Sequence, residues 1–333
     1  MTAGFDNYEG TSEIVLVLKQ HETVTSVFPK LATQFPVRFG LGEIYSAFGG
    51  RLCGKMIAGY EKALYQYKFE KDEWVPFQSY GQAKYDRHLA KGCNINDSLF
   101  LAIGGYLENR VELIWLKAGY LTSTYKSCAP NYTTVVHKQT SRPSSQRHKQ
   151  QLRAQNFYTQ KVCPTPIPVD RVLFHSITKV DNNKVVLVGG EVKCNVACLS
   201  KSVYLGELTE DRSDVKWKEL ESMKKARKFH ITFKMKQNMY VAGGIDVCDK
   251  TLACCERFDL NENKWFKCHH VLPYRLYDAS VVVSADETFA VITGGYRGGS
   301  ISDGIIIFTE QEGFQLMAEN LLSERFGHVS ILI

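Results

Sequence analysis

Histidines recur beside basic residues along this chain, at Arg87 and His88, Arg171 and His175, Arg227 and His230, and Arg325 and His328. An imidazole near a cation is a candidate for acid–base chemistry, because histidine is the side chain whose ordinary pKa lies near neutrality. Recurrence at one position of a repeat points elsewhere. A catalytic constellation needs different groups converging on one point, whereas a residue that recurs in every unit makes the same structural hydrogen bond in each. In the fifth unit Arg275 is followed by Asp278 in place of a histidine. Cysteines raise the question of a metal: Cys194 and Cys198, then Cys248, Cys254 and Cys255, then Cys268 ahead of His269 and His270. Their spacing does not match the paired short loops of a zinc ribbon or finger, and the groups fall at similar places in successive repeats, which sets them on different units. Asp246, Asp249, Glu256 and Asp259 read as turn and edge residues rather than a carboxylate pair. The sequence contains no Walker-type phosphate loop, Gly-x-Ser-x-Gly elbow or His-Glu-x-x-His stretch. The expectation is a non-catalytic protein without a metal site or cofactor.

Whatever these residues do, a repeated element must position them, and glycine marks it. Doublets stand at Gly49-Gly50, Gly104-Gly105, Gly189-Gly190, Gly243-Gly244 and Gly294-Gly295. Successive doublets are separated by about 50 residues, except that the interval from 104 to 189 carries roughly thirty more. Each follows a short apolar run, at 44–48, 99–103, 185–188, 239–242 and 289–292, of a strand's length and composition. Such a run reads as a strand buried on both faces, after which two glycines let the backbone turn with positive φ and pass close to the next unit. A more alternating strand follows and ends near Trp74, Trp217 or Trp265.

The doublets, the basic residue and histidine ahead of the first strand, and the later tryptophans resemble the kelch repeat over nearly the whole chain. The resemblance implies an all-β, six-bladed β-propeller occupying residues 1–333 as a single domain. It does not imply one function, since kelch propellers serve many roles. Residues 323–328 open a sixth unit that has no doublet of its own, and residues 13–18 form a strand with no doublet before it. The two fragments are expected to share a blade, so that N- and C-terminal strands pair and close the ring without exposed edges. No run approaches the roughly 18 apolar residues of a membrane span. The first residues lack a basic start and an apolar core, which predicts an intracellular protein.

Charge is local. The formal net charge is +6, yet residues 113–169 contain no Asp or Glu and hold Lys117, Lys126, Lys138, Arg142, Arg147, Lys149, Arg153 and Lys161. The remainder of the chain is therefore slightly acidic. The centre of this stretch, around Lys138, Arg142, Arg147, Lys149 and Arg153, is polar and interrupted by proline, and reads as a basic loop inserted at about 126–165. Such a loop can follow a phosphate backbone and release counterions; a silent insertion or a nuclear import signal are the other uses of this composition. Lys224, Lys225, Arg227 and Lys228 form a second cluster where the chain enters the fourth unit, with Lys179, Lys184, Lys234 and Lys236 in neighbouring repeats, and are expected to add to a basic rim.

Phe174-His175-Ser176-Ile177-Thr178 running to Val188-Gly189-Gly190, and Ala279-Ser280-Val281-Val282-Val283 running to Thr293-Gly294-Gly295-Tyr296, resemble the degenerate repeats of the non-catalytic second subunit of the RAG recombinase. That resemblance implies a nuclear accessory subunit in a hetero-oligomer. Its partners would be a catalytic transposase-like protein and DNA, the latter through backbone contacts that position without reading bases. The acidic hinge and plant-homeodomain finger of vertebrate members do not occur in this sequence, which points to a propeller-only, transposon-type relative. The alternative is a cytoplasmic kelch scaffold, actin-associated protein or ubiquitin-ligase substrate adaptor; an adaptor's BTB domain does not fit in the residues ahead of Gly49.

Overall fold

The computed structural model describes residues 13–14, 16–18, 33–34, 48–52, 55–60, 63–68, 73–76, 90–96, 99–104, 111–119, 155–169, 172–193, 197–321 and 324–332. Among these the protein is all-β, without a helix, and so without one long and apolar enough to cross a membrane. Five four-stranded antiparallel sheets follow one another along the chain. Sheet I comprises Phe48–Leu52, Lys55–Tyr60, Ala63–Lys68 and Glu73–Pro76. Sheet II comprises Lys91–Asn96, Leu99–Ile103, Val111–Gly119 and Gln155–Val162. Sheet III comprises Ser176–Asp181, Lys184–Val188, Val203–Leu208 and Val215–Leu220. Sheet IV comprises Ile231–Met235, Asn238–Ala242, Cys254–Asp259 and Lys264–Val271. Sheet V comprises Ser280–Val283, Ala290–Thr293, Gly304–Thr309 and Gly313–Asn320. Near the termini, Leu16–Leu18 pairs with Ser330–Leu332, but among the described residues as a separate two-stranded parallel pair and not as neighbours in a four-stranded antiparallel unit.

The second strand in sheets II to V is apolar because it is buried. Val185 and Leu187 pack toward sheet II, whereas Val186 and Val188 pack toward sheet IV. Met239 and Val241 meet sheet III, while Tyr240 and Ala242 meet sheet V with Phe308 and Phe314. The two-residue period of a strand thus sends alternate side chains into two different cores, and a continuous apolar run satisfies both. Outer strands alternate instead: Lys264–Val271 buries Trp265 and Cys268 and exposes Lys264, Lys267 and Val271.

The glycine doublets at 189, 243 and 294 turn out of these second strands with φ between 56° and 92°. Within each doublet, the first N–H stays in its own sheet, as from Gly189 to Ser202, and the second crosses to the next unit. Gly190 donates to the Arg227 carbonyl at 2.9 Å, Gly244 to Leu276 at 2.8 Å and Gly295 to Arg325 at 2.7 Å. A Cβ on Gly244 would lie 2.7 Å from the Lys228 carbonyl oxygen, so close approach as well as positive φ excludes a side chain there. A second backbone chain joins the units through left-handed residues. Phe174, Phe229, Asp278 and Gly327 have φ of 53° to 60°. Phe229 N–H donates to Phe174, Asp278 to Phe229, and Gly327 to Asp278. Bulky residues tolerate this backbone region only where the surroundings over-determine it, and here each is held by its counterparts in adjoining units.

Three expectations need correction. Gly49 and Gly50 lie inside a strand, opposite Ala58 and Ile57, in a ladder that runs from Phe48↔Gly59 to Leu52↔Lys55. The insertion is shorter than 126–165, since Gln155–Val162 is the fourth strand of sheet II, paired with Val111–Gly119 from Glu112↔Val162 to Gly119↔Gln155. Repeat register also differs. The residue before each first strand is Ala90, His175, His230 and Ala279 in sheets II to V, so Ala279 stands at the histidine position of the fifth unit and Asp278 is equivalent to Phe174 and Phe229. In the second unit that position is Ala90 and not His88, which lies outside the described residues, as do Gly105 and Arg171.

Candidate functional site

The second basic cluster is built around a carboxylate. Glu256, on the third strand of sheet IV, accepts the backbone N–H of Lys224 at 2.7 Å and of Lys225 at 3.3 Å, and the Arg227 guanidinium at 2.5 Å. Arg227 is completely buried and also donates to the carbonyls of Gly243 at 2.9 Å and Cys254 at 3.3 Å. Arg227 is therefore no part of a basic rim: its charge is spent inside the protein, fastening the entry of sheet IV to its third strand. Lys228 pairs with Glu191 at 2.8 Å and lies over the rings of Phe174 and Phe229. Lys224 is exposed and reaches Glu221 at 3.3 Å; Lys225 is exposed. Of the neighbouring lysines, Lys184 pairs with Glu207 at 3.6 Å and Lys234 with Glu287 at 2.7 Å. Three glutamates thus answer most of the cluster's positive charge.

Topology separates the two basic segments. In sheet II the third strand begins opposite Ile103, at the end that carries Gly104, and reaches Gly119 at the other end. Gly104 lies against Val172 in the entry to sheet III, as Gly190 lies against Arg227 in the entry to sheet IV. The insertion leaves and rejoins sheet II between Gly119 and Gln155, whereas 224–228 sits at the doublet end of its neighbours. The two segments leave opposite ends of their sheets. Lys138, Arg142, Arg147, Lys149 and Arg153 lie outside the described residues.

The first strands of successive sheets lie side by side, in the order Phe48–Leu52, Lys91–Asn96, Ser176–Asp181, Ile231–Met235, Ser280–Val283 and Ser330–Leu332, the last also neighbouring Phe48–Leu52. Lys91–Asn96 and its counterparts in sheets III to V, with His328 to Ser330, line a cavity of about 570 Å³. Hydroxyl and imidazole residues are interspersed with aliphatic ones in its lining. His230 Nε2 and Ser176 Oγ are 2.8 Å apart, as are His328 Nε2 and Thr293 Oγ1, and Thr178 Oγ1 and Thr232 Oγ1 are 2.5 Å apart. Two of the recurring histidines therefore tie one unit to the one before it. His175 does not follow: at 1% exposure its Nε2 has no hydrogen-bond partner.

The reason is Lys91. Register places Lys91 opposite Ile103 where Ser176 is opposite Val188, so a lysine occupies the serine's place ahead of His175. Burial pushes His175 down to about 3, helped by the Lys91 ammonium, and pushes His328 down to about 3, helped by Arg325. His230 is driven well below its ordinary value by burial and then by Arg227. These imidazoles are neutral hydrogen-bonding groups at physiological pH. Burial also lowers Lys91, against the pull of the Asp278 carboxylate, and raises Asp278, against the pull of Lys91. Cys93, on the same strand as Lys91, is pushed by burial up to about 12 and is inert as a thiol.

Among the described residues no group of His, Cys, Asp and Glu has the arrangement to hold a metal ion. Cys255 and Cys268 are buried thiols, with Cys268 lowered to about 7 by a hydrogen bond from Cys255. Sequence reasoning missed Lys91 and Glu191, and its reading of Glu256 as a turn or edge residue is corrected by burial against Arg227. Lys91 carried a usable signal, since it stands as far ahead of Gly104 as Ser176 stands ahead of Gly189. The two glutamates carried none, because their partners lie 29 and 37 residues away in the segment that enters sheet IV. No protein-family model and no curated protein matches the chain.

Proposed function

We propose that this chain is a six-bladed kelch-type β-propeller that serves, without catalysing, as the accessory subunit of a RAG-like DNA recombinase or transposase in the nucleus. The propeller reading is supported by five successive antiparallel sheets whose first strands neighbour one another in chain order, with a parallel pair of terminal strands beside the first and last. The recombinase reading rests on the family resemblance and, above all, on one observation: residues 113–169 carry eight Lys and Arg and no Asp or Glu, and are rooted in sheet II by a long antiparallel pair. A basic segment held on a rigid sheet adds phosphate contacts while a catalytic partner supplies metal and nucleophile. In this reading the DNA contacts come from the insertion, and the 224–228 cluster contributes Lys224 and Lys225 alone.

The neutralisation of that cluster by Glu191, Glu221 and Glu256 favours a second reading, a kelch interaction scaffold or substrate adaptor with no nucleic-acid partner. Replacing Lys138, Arg142, Arg147, Lys149 and Arg153 with Gln separates the two. If all five meet phosphates of duplex DNA, the slope of log K against log salt becomes shallower by about 4.5. The measurement is fluorescence anisotropy with a labelled duplex across a salt series, alone and with a transposase-like partner captured from nuclear extract. A slope that does not change removes the insertion from DNA binding and leaves the scaffold reading.

A further inference from the structure

In the repeat, each buried histidine before a first strand meets a hydroxyl of the preceding unit: His230 meets Ser176 and His328 meets Thr293. At the junction of sheets II and III this pattern is replaced by Lys91 beside an unpartnered His175 Nε2, and at the junction of sheets IV and V Ala279 stands in place of the histidine. A cation in the place of a small hydroxyl is costly, because it loses hydration and gives the imidazole no oxygen to bond. The nearby carboxylates do not neutralise it in the usual way. Asp278 acts on Lys91 through space, but no ion pair forms between them, and Glu287, the one acid among the described residues that line the cavity, is held by Lys234 Nζ and Lys236 N–H. Lys179 also lines the cavity, without a carboxylate at ion-pair distance among the described residues. Thr232, Ser280 and Ser330 line the same space.

We propose that the cavity between the first strands is a binding site for a small phosphate-bearing anion, held by Lys91 and Lys179 and oriented by His175. A tetrahedral oxyanion accepts from several donors at once and offsets two ammonium charges, and about 570 Å³ holds a pyrophosphate or one end of a nucleotide. Lys91 supplies charge, His175 Nε2–H supplies a directed donor, and Asp278 lies at the edge, in a smaller cavity shared with Lys91, Phe174 and Phe229. The site is independent of the DNA-binding insertion, which leaves sheet II at the opposite end from His175.

The test is isothermal titration of the full chain with inorganic pyrophosphate and, separately, ATP. Wild-type protein should bind at least one of them saturably. The key variant is Lys91→Ser, which installs the hydroxyl that Ser176 offers His230. It should be no less stable to urea while its affinity falls about 10- to 100-fold, the value of a charge-assisted contact. Lys179→Gln should weaken binding several-fold and serves if Lys91→Ser fails to fold. Tighter binding of pyrophosphate assigns the site to a free phosphate compound, and tighter binding of ATP to a nucleotide. No saturable binding of either by the wild type, or unchanged affinity in the lysine variants, overturns the proposal.

Discussion

Replacing Glu256 with Gln should destabilise the protein far more than a single hydrogen bond would. Its carboxylate receives two backbone N–H groups, from Lys224 and Lys225, and the guanidinium of Arg227, which has no exposed surface. Glutamine keeps one acceptor oxygen, so the backbone of the entry loop retains part of its anchorage. It cannot balance the arginine. Leaving one member of a buried ion pair without its partner costs about 3–5 kcal/mol. The bonds from Arg227 to Gly243 and Cys254 persist, so the lower half of that range is expected. Equilibrium urea unfolding followed by tryptophan fluorescence reads the change, since Trp265 lies on the adjacent strand and its indole N–H bonds Glu221. The double variant Arg227→Met, Glu256→Leu provides the control: with both charges gone, the penalty should shrink to about 1–2 kcal/mol or vanish. A Glu256→Gln loss below about 1 kcal/mol, or a double variant as unstable as the single, would refute the reading of this pair as the fastening of sheet IV.

Gly244→Ala should cost about 2 kcal/mol or more in the same assay, because φ is +92° and the new Cβ would press on the Lys228 carbonyl; a neutral effect would mean that the turn relaxes freely. Stability should fall steadily as pH drops from about 6.5. His175 and His328 stay neutral in the folded protein down to about 3 but protonate near 6.5 when unfolded, so the unfolded state takes up more protons across that window. Each such histidine contributes about 1.4 kcal/mol per pH unit to the slope. His328→Gln should reduce the slope between pH 6 and 5 by about that amount, and an unchanged slope would show that another group is responsible.

The doublets at 189, 243 and 294 were legible because positive φ is a local demand that glycine alone meets without penalty. The same dipeptide at 49–50 was misplaced because glycine is equally permitted inside a strand, and nothing local distinguishes the two uses. The all-β class followed from short apolar runs, yet the reason for their continuity, two cores served by alternate side chains, depends on sheets that sequence does not align. Arg227 shows the limit most clearly. Within Lys224-Lys225-Ala226-Arg227-Lys228 it looks like its neighbours, and only a carboxylate from another strand makes it an interior residue. The run of like charges is half surface and half scaffold, and a window of five residues contains no hint of where the division falls.

Departures from the repeat carry more functional information than the repeat itself. Where successive units agree, as in the crossing N–H of Gly190, Gly244 and Gly295 or the linked left-handed residues at 174, 229, 278 and 327, the common feature is explained by joining one unit to the next. A binding site needs asymmetry, because a ligand must be held by particular groups at one place. Lys91 and His175 break the histidine–hydroxyl pattern at the junction of sheets II and III by placing a charge there, and Asp278 replaces an aromatic residue two units further on. Together these three put a cation, a free imidazole nitrogen and a carboxylate around one end of the cavity. Restoring the repeat at position 91 therefore separates two accounts of this corner. If the protein becomes more stable and nothing is lost, the lysine is a tolerated irregularity. If stability rises while anion affinity disappears, the chain has given up stability for a site, which is the signature of function.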